Sequence, residues 1–116
     1  MLSQYEKPRI VIKRAPQVAD RLVKALCSGI EEEMIPYALL EAAGGQAREL
    51  AFSAAEASRL EVGLGITPQA TALGYAKLPP GQPLFALEHG QYTEEELRTL
   101  GANAARLVKG IPFKEA

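Results

Sequence analysis

The chain has 116 residues, 47% of them hydrophobic and 23% charged, with 13 basic against 14 acidic side chains and a formal net charge of -1. That length predicts a single domain over residues 1–116 around one hydrophobic core, and the charge balance excludes the clustered surplus of Lys and Arg that nucleic acid or anionic membranes require. One cysteine, Cys27, and one histidine, His89, can form neither an internal disulfide nor a zinc site, no apolar run approaches a membrane span, and Met1–Lys7 is too short and polar for a signal peptide. A reducing cytoplasm is the expected location.

Arg9-Ile-Val-Ile-Lys13 is rich in β-branched residues and lies between Pro8 and Ala15-Pro16, which predicts a first strand. Val18, Leu22, Val23, Leu26 and Ile30 repeat at helical spacing, giving a helix from Gln17 to about Met34 with Arg21 and Lys24 off its apolar stripe. Ile35–Leu40 suits a second strand with Pro36 near its start, and Gly44-Gly45 then breaks the chain. Ala47, Leu50, Ala51, Ala54 and Ala55 make a second helix whose small face permits close packing.

Leu60-Glu-Val-Gly-Leu-Gly-Ile66 predicts a third strand, Thr71–Tyr75 a fourth, and Leu84–Leu87 a fifth after the turn Pro79–Pro83. Thr93 with Glu96 three residues on forms a capping box for a last helix, with Glu94 and Glu95 at the positive end of its dipole. Leu97, Leu100, Ala104, Leu107 and Val108 are its buried stripe, and Lys109-Gly110 before Pro112 ends it. The element order predicts an α/β fold: a three-layer domain with a mostly parallel mixed sheet flanked by helices, its early strands joined by right-handed crossovers.

Chemistry is sparse. Gly63-Leu-Gly65 could begin a dinucleotide fingerprint, but Pro68 stands where a third glycine belongs and a strand follows in place of the phosphate-binding helix. These glycines are better explained by a helix or another backbone approaching the sheet. His89 sits in a polar loop, Cys27 has no nearby His to activate it, and Ser53 and Ser58 lack a nucleophile-elbow context.

The cluster Glu31-Glu-Glu33 is awkward because anions at a helix C-terminus oppose its dipole, by roughly 0.3 to 1 kcal/mol each. At about 100° per residue, Glu33 lies near the stripe containing Ile30 and Glu32 points away from the core. The cluster is either a solvated helix end or a site for an outward ligand. Asn103, between Ala102 and Ala104, is either an exposed helical Asn or a point where another backbone can come close. Arg106, Lys109 and Lys114 form a basic end that faces a partner's acids or simply complements the dipole.

Three segments are more particular than the elements need: Leu97-Arg-Thr-Leu-Gly-Ala-Asn-Ala-Ala-Arg-Leu-Val-Lys-Gly-Ile-Pro-Phe113, Gly29-Ile-Glu-Glu-Glu-Met-Ile-Pro36 and Leu60–Ile66. Through them the chain resembles the small subunit of the reactivating factor for coenzyme B12-dependent diol and glycerol dehydratases. The resemblance implies a fold like part of the dehydratase medium subunit and a chaperone role without catalysis. It implies a large ATPase subunit as partner, in an expected heterotetramer, and exchange onto the dehydratase large subunit so that damaged cobalamin can leave.

It further implies a magnesium site at the contact with the large subunit, with Glu32 as the ligand from this chain and Glu31 as the second choice. Glu32, Asn103, Arg106 and Lys109 are the expected partner-facing residues. Met34 stands where the family would have Gly. Self-association of the isolated chain is expected, because a subunit built for exchange exposes apolar surface when unpartnered. Alternatives are a relative of the medium subunit that helps bind cobalamin or substrate, and an unrelated flavodoxin-like domain. The client, propanediol or glycerol dehydratase, and any association with a bacterial microcompartment stay open.

Overall fold

A computed structural model describes residues 7–88 and 90–115. The chain runs β1 (Ile10–Arg14), α1 (Asp20–Glu32), β2 (Tyr37–Glu41), α2 (Ala47–Ala57), β3 (Val62–Ile66), β4 (Thr71–Tyr75), β5 (Phe85–Leu87) and α3 (Glu94–Lys109). The strands form one sheet in the order β2-β1-β3-β4-β5. β1 pairs in parallel with both β2 and β3, whereas β3-β4 and β4-β5 are antiparallel, so β4 alone runs against the others. The predicted three-layer α/β architecture with a mixed sheet is the one observed.

Alternation along the strands separates the two faces. Ile10, Ile12, Val62, Leu64, Ile66 and Leu73 point to one side and join Leu26, Ile30, Leu97, Leu100 and Ala104 of α1 and α3 in the main core. Gly63 and Gly65 point to the other side, where α2 lies. A Cβ on Gly63 would stand 2.2 Å from the Ala55 nitrogen and one on Gly65 would stand 2.5 Å from the Ala47 carbonyl oxygen. The alanine face of α2 therefore rests directly on the sheet backbone, which is the close approach expected of these glycines.

The same device joins α1 to α3. A Cβ on Gly29 would meet the Arg98 carbonyl oxygen at 2.0 Å and one on Gly101 would meet that of Leu26 at 2.1 Å. Both glycines belong to the segments that carry the family resemblance, and their lack of a side chain sets the distance between the helices.

Several boundaries differ from expectation. α1 starts at Asp20, not Gln17, because the Arg14 guanidinium donates to the Val18 carbonyl at 2.6 Å and to Asp20 Oδ1 at 2.5 Å, holding Pro16–Ala19 in a turn. It ends at Glu32, with Glu33 as C-cap, because Met34 adopts φ +62°. The Met34 N–H donates to the Glu31 carbonyl at 2.9 Å and that of Ile35 to the Ile30 carbonyl at 3.5 Å, the two bonds of a Schellman turn. Met34 therefore takes the conformation that glycine favours, while 88% exposed.

β2 begins only at Tyr37, beyond this turn and Pro36. β3 begins at Val62 because Leu60 and Glu61 belong to a turn: Glu61 has φ +63° and its N–H bonds the Ser58 carbonyl at 2.9 Å. β5 is one residue shorter than expected. The α3 capping box is present, with Thr93 and Glu96 each accepting the other's backbone N–H at 3.0 Å, and Gly110 turns left-handed at φ +70°.

Candidate functional site

The acidic end of α1 lies against α3, and each of its glutamates has a different environment. Glu33 is the inner one, its side chain 13% exposed. Lys109 Nζ reaches Glu33 Oε1 at 2.7 Å and the Glu33 carbonyl at 3.0 Å, while Arg106 Nε donates to Oε2 at 3.2 Å. The Lys109 hydrogen bond, supported by Arg106, holds the Glu33 carboxyl below its ordinary range against the opposing effect of burial. The helical wheel placed Glu33 by the apolar stripe; α3, 73 residues further on, brings the cations that this position needs.

Glu32 points outward, as its position on the wheel predicts. Its one ion pair among the described residues is loose, Arg98 Nε to Oε2 at 3.6 Å, with side chains 43% and 51% exposed. Glu31 is exposed and accepts weakly from the Tyr37 hydroxyl at 3.4 Å. Burial, together with Cys27 and Glu31 nearby, pushes the Tyr37 phenol up to about 12, and burial raises the Cys27 thiol. Cys27 is a packed thiol.

The proposed interface residues thus divide. Arg106 and Lys109 are held by Glu33. Asn103 is buried, donating from Nδ2 to the Lys114 carbonyl at 3.1 Å and accepting the Lys114 N–H at 2.6 Å. The backbone that its small neighbours admit is the chain's own C-terminal tail. Arg106 also donates to the Pro112 carbonyl at 3.1 Å, and Phe113 meets Phe85 edge to face at 5.1 Å. Glu31 and Glu32 are the acidic pair left facing outward.

Could this end hold magnesium? Among the described residues no three His, Cys, Asp or Glu side chains converge as a metal cluster. Magnesium is commonly bound through one or two protein carboxylates with the remaining positions filled by water and phosphate. Glu32 and Glu31 fit such a minor share. They do not form a site by themselves, and Arg98 must turn aside if Glu32 is to meet a cation.

Other candidates have structural roles. Ser58 Oγ donates to the Arg9 carbonyl and accepts the Leu60 N–H, and Ser53 Oγ accepts from Lys13 Nζ at 3.0 Å. Gly63 and Gly65 lie inside β3, with a Thr67-Pro-Gln-Ala70 turn after it. At the crevice beside the start of α2, Arg48 is taken up by Glu88 at 2.7 Å. His89 lies outside the described residues. No helix is long and apolar enough to cross a membrane among those residues.

Comparison with known proteins agrees with this fold. The family described as Dehydratase medium subunit matches residues 7–114. The propanediol dehydratase-reactivating factor small subunit of Salmonella typhimurium is 40% identical over 115 residues, 99% of this chain and 97% of that protein. The diol dehydratase-reactivating factor small subunit of Klebsiella michiganensis is 42% identical over 96 residues, 83% of this chain and 76% of its own length. Among solved structures, a diol dehydratase-reactivating factor complexed with ADP and Mg2+ superposes with a TM-score of 0.85 at 38% identity, over 93% of this chain and 98% of that one. A glycerol dehydratase reactivase superposes with a TM-score of 0.86 at 36% identity, over 93% and 97%. The chain belongs to the dehydratase medium-subunit family and, within it, to the small subunits of diol and glycerol dehydratase-reactivating factors.

Proposed function

We propose that this subunit works by exchange: it pairs with a large ATPase subunit at rest and takes the place of the dehydratase medium subunit on the dehydratase large subunit when the enzyme is inactivated, letting damaged cobalamin leave. The observation that carries this reading is the double match, to the medium-subunit family over residues 7–114 and to reactivating-factor small subunits over nearly the whole chain. A chain with the medium subunit's fold can compete for the medium subunit's place. It needs no catalytic group of its own for that.

ATP hydrolysis belongs to the large subunit in this scheme, and Glu32, with Glu31 second, gives a carboxylate oxygen to magnesium at the contact between the two. A related factor complexed with ADP and Mg2+ supports the presence of that ion in the assembly. Asn103, Arg106 and Lys109 act from behind, by fixing the tail and the end of α1 against α3. The cytoplasm is the proposed place of this work.

The test is an exchange assay with inactivated dehydratase, the large reactivase subunit, ATP and magnesium. Tagged chain should recover the dehydratase large subunit while medium subunit and cobalamin appear in solution, and the chain alone should hydrolyse no ATP. Cobalamin release without transfer of the tagged chain would refute exchange. The family match also favours a second reading, a medium-subunit relative that helps to bind cobalamin. Stable cobalamin binding by the chain with the dehydratase large subunit would decide for it.

A further inference from the structure

The two edges of the sheet are finished differently. β5 is three residues long, and Phe113 of the tail packs on its Phe85. β2 has five residues, stands at one end of the strand order, and pairs with β1 alone among the described residues. The Pro36 carbonyl accepts from Ile10 and the Ala42 N–H donates to Arg14, so the even-numbered residues face β1. Tyr37, Leu39 and Glu41 therefore aim their main-chain N–H and C=O groups outward. Leu39 and Leu40, on opposite faces, are 40% and 43% exposed. Tyr37–Glu41 holds no internal proline, lysine or bulge, and Glu41 at its end is its one charged side chain.

We propose that the open edge of β2 is a self-association surface, where β2 of a second copy of this chain adds antiparallel so that two five-stranded sheets become one. A twofold contact requires the same patch to complement itself, and the charges along this edge do so only head to tail. The groove between α1 and β2 has Glu31 at one end, next to Tyr37, and Lys24 toward the other, both exposed. Arg14 and Asp20 at the Lys24 end neutralise each other, and Lys24 makes no ion pair among the described residues. Antiparallel pairing brings Lys24 toward Glu31 of the second copy, twice by symmetry. Glu41 then lies opposite Tyr37 of the second copy, whose hydroxyl can donate to it. A parallel twofold approach would turn the two α1 helices to opposite faces of the sheet and leave Lys24 without Glu31.

Sedimentation of the isolated full-length chain over a range of concentrations tests this. A monomer–dimer equilibrium that weakens with added salt is expected. Leu39→Pro removes an outward N–H and leaves the β1 ladder intact, and should weaken the dimer at least tenfold with unchanged circular dichroism. Lys24→Glu should weaken it as well, and adding Glu31→Lys should restore it, which decides the matter even if Leu39→Pro folds poorly. Phe113→Ser, at the opposite edge, should leave the dimer unchanged. A monomer at every concentration, a dimer indifferent to the Lys24 and Glu31 exchange, or edge variants that impair only binding to the large reactivase subunit would each overturn the proposal.

Discussion

The two sides of the sheet are held by opposite means. Under α2 the contact is backbone to backbone, with glycines in β3 and alanines above them and no space for even a methyl group. On the other side, large aliphatic chains fill the core, and the margin where α1 ends against α3 is polar: three consecutive glutamates, of which Glu33 is clamped and Glu31 and Glu32 face outward. A region that tolerates no added atom can serve as a frame and little else. A margin with exposed charge beside a fixed anchor can meet a partner without disturbing the core.

Substitutions should reveal that contrast in their size. Gly63→Ala forces a carbon against the α2 backbone at 2.2 Å from the Ala55 nitrogen, which should cost about 3 kcal/mol in urea unfolding. Asn103→Ala, which strands the Lys114 backbone groups, should cost about 1 to 2 kcal/mol and expose the tail to proteolysis. Met34→Gly works in the other direction. It relieves a left-handed residue at a helix end and should stabilise the fold by about 1 kcal/mol, with a higher melting temperature as readout.

Glu33→Gln should be smaller, about 0.5 to 1 kcal/mol at neutral pH, since its partners Arg106 and Lys109 are 27% and 33% exposed and screened by solvent. Its pH dependence has a definite sign. The folded carboxyl titrates below its ordinary value of 4.5, so the contribution is complete above that pH and disappears as the pH falls through the lowered folded value. Wild type and Glu33→Gln should therefore converge in acid, and also in high salt. A gap that widened toward low pH would mean that Glu33 is not held as the charged form.

Much of this was legible in the sequence because local rules govern it. Period 3.6 identified the three helices and put Glu33 inward and Glu32 outward; the capping box at Thr93 set the start of α3. What local rules could not supply was the identity of distant partners. That Arg106 and Lys109 belong to Glu33, or that Asn103 holds the tail, depends on the Gly29–Gly101 crossing that brings α1 onto α3, and no pattern within either helix encodes it. Met34 shows a different limit. Glycine would have announced the left-handed turn, whereas a methionine there reads as one more helical residue and extended the predicted helix to its position.

The claim that the outward acids of α1 meet the large subunit is tested most directly by calorimetric titration of this chain into that subunit with and without magnesium. Glu32→Gln is compared with Glu56→Gln, an exposed glutamate on α2. Glu32→Gln should weaken binding at least tenfold and abolish its magnesium dependence, and Glu56→Gln should bind as wild type does. Unchanged affinity for Glu32→Gln, with loss in Glu56→Gln, would transfer the interface to the α2 side and contradict this assignment.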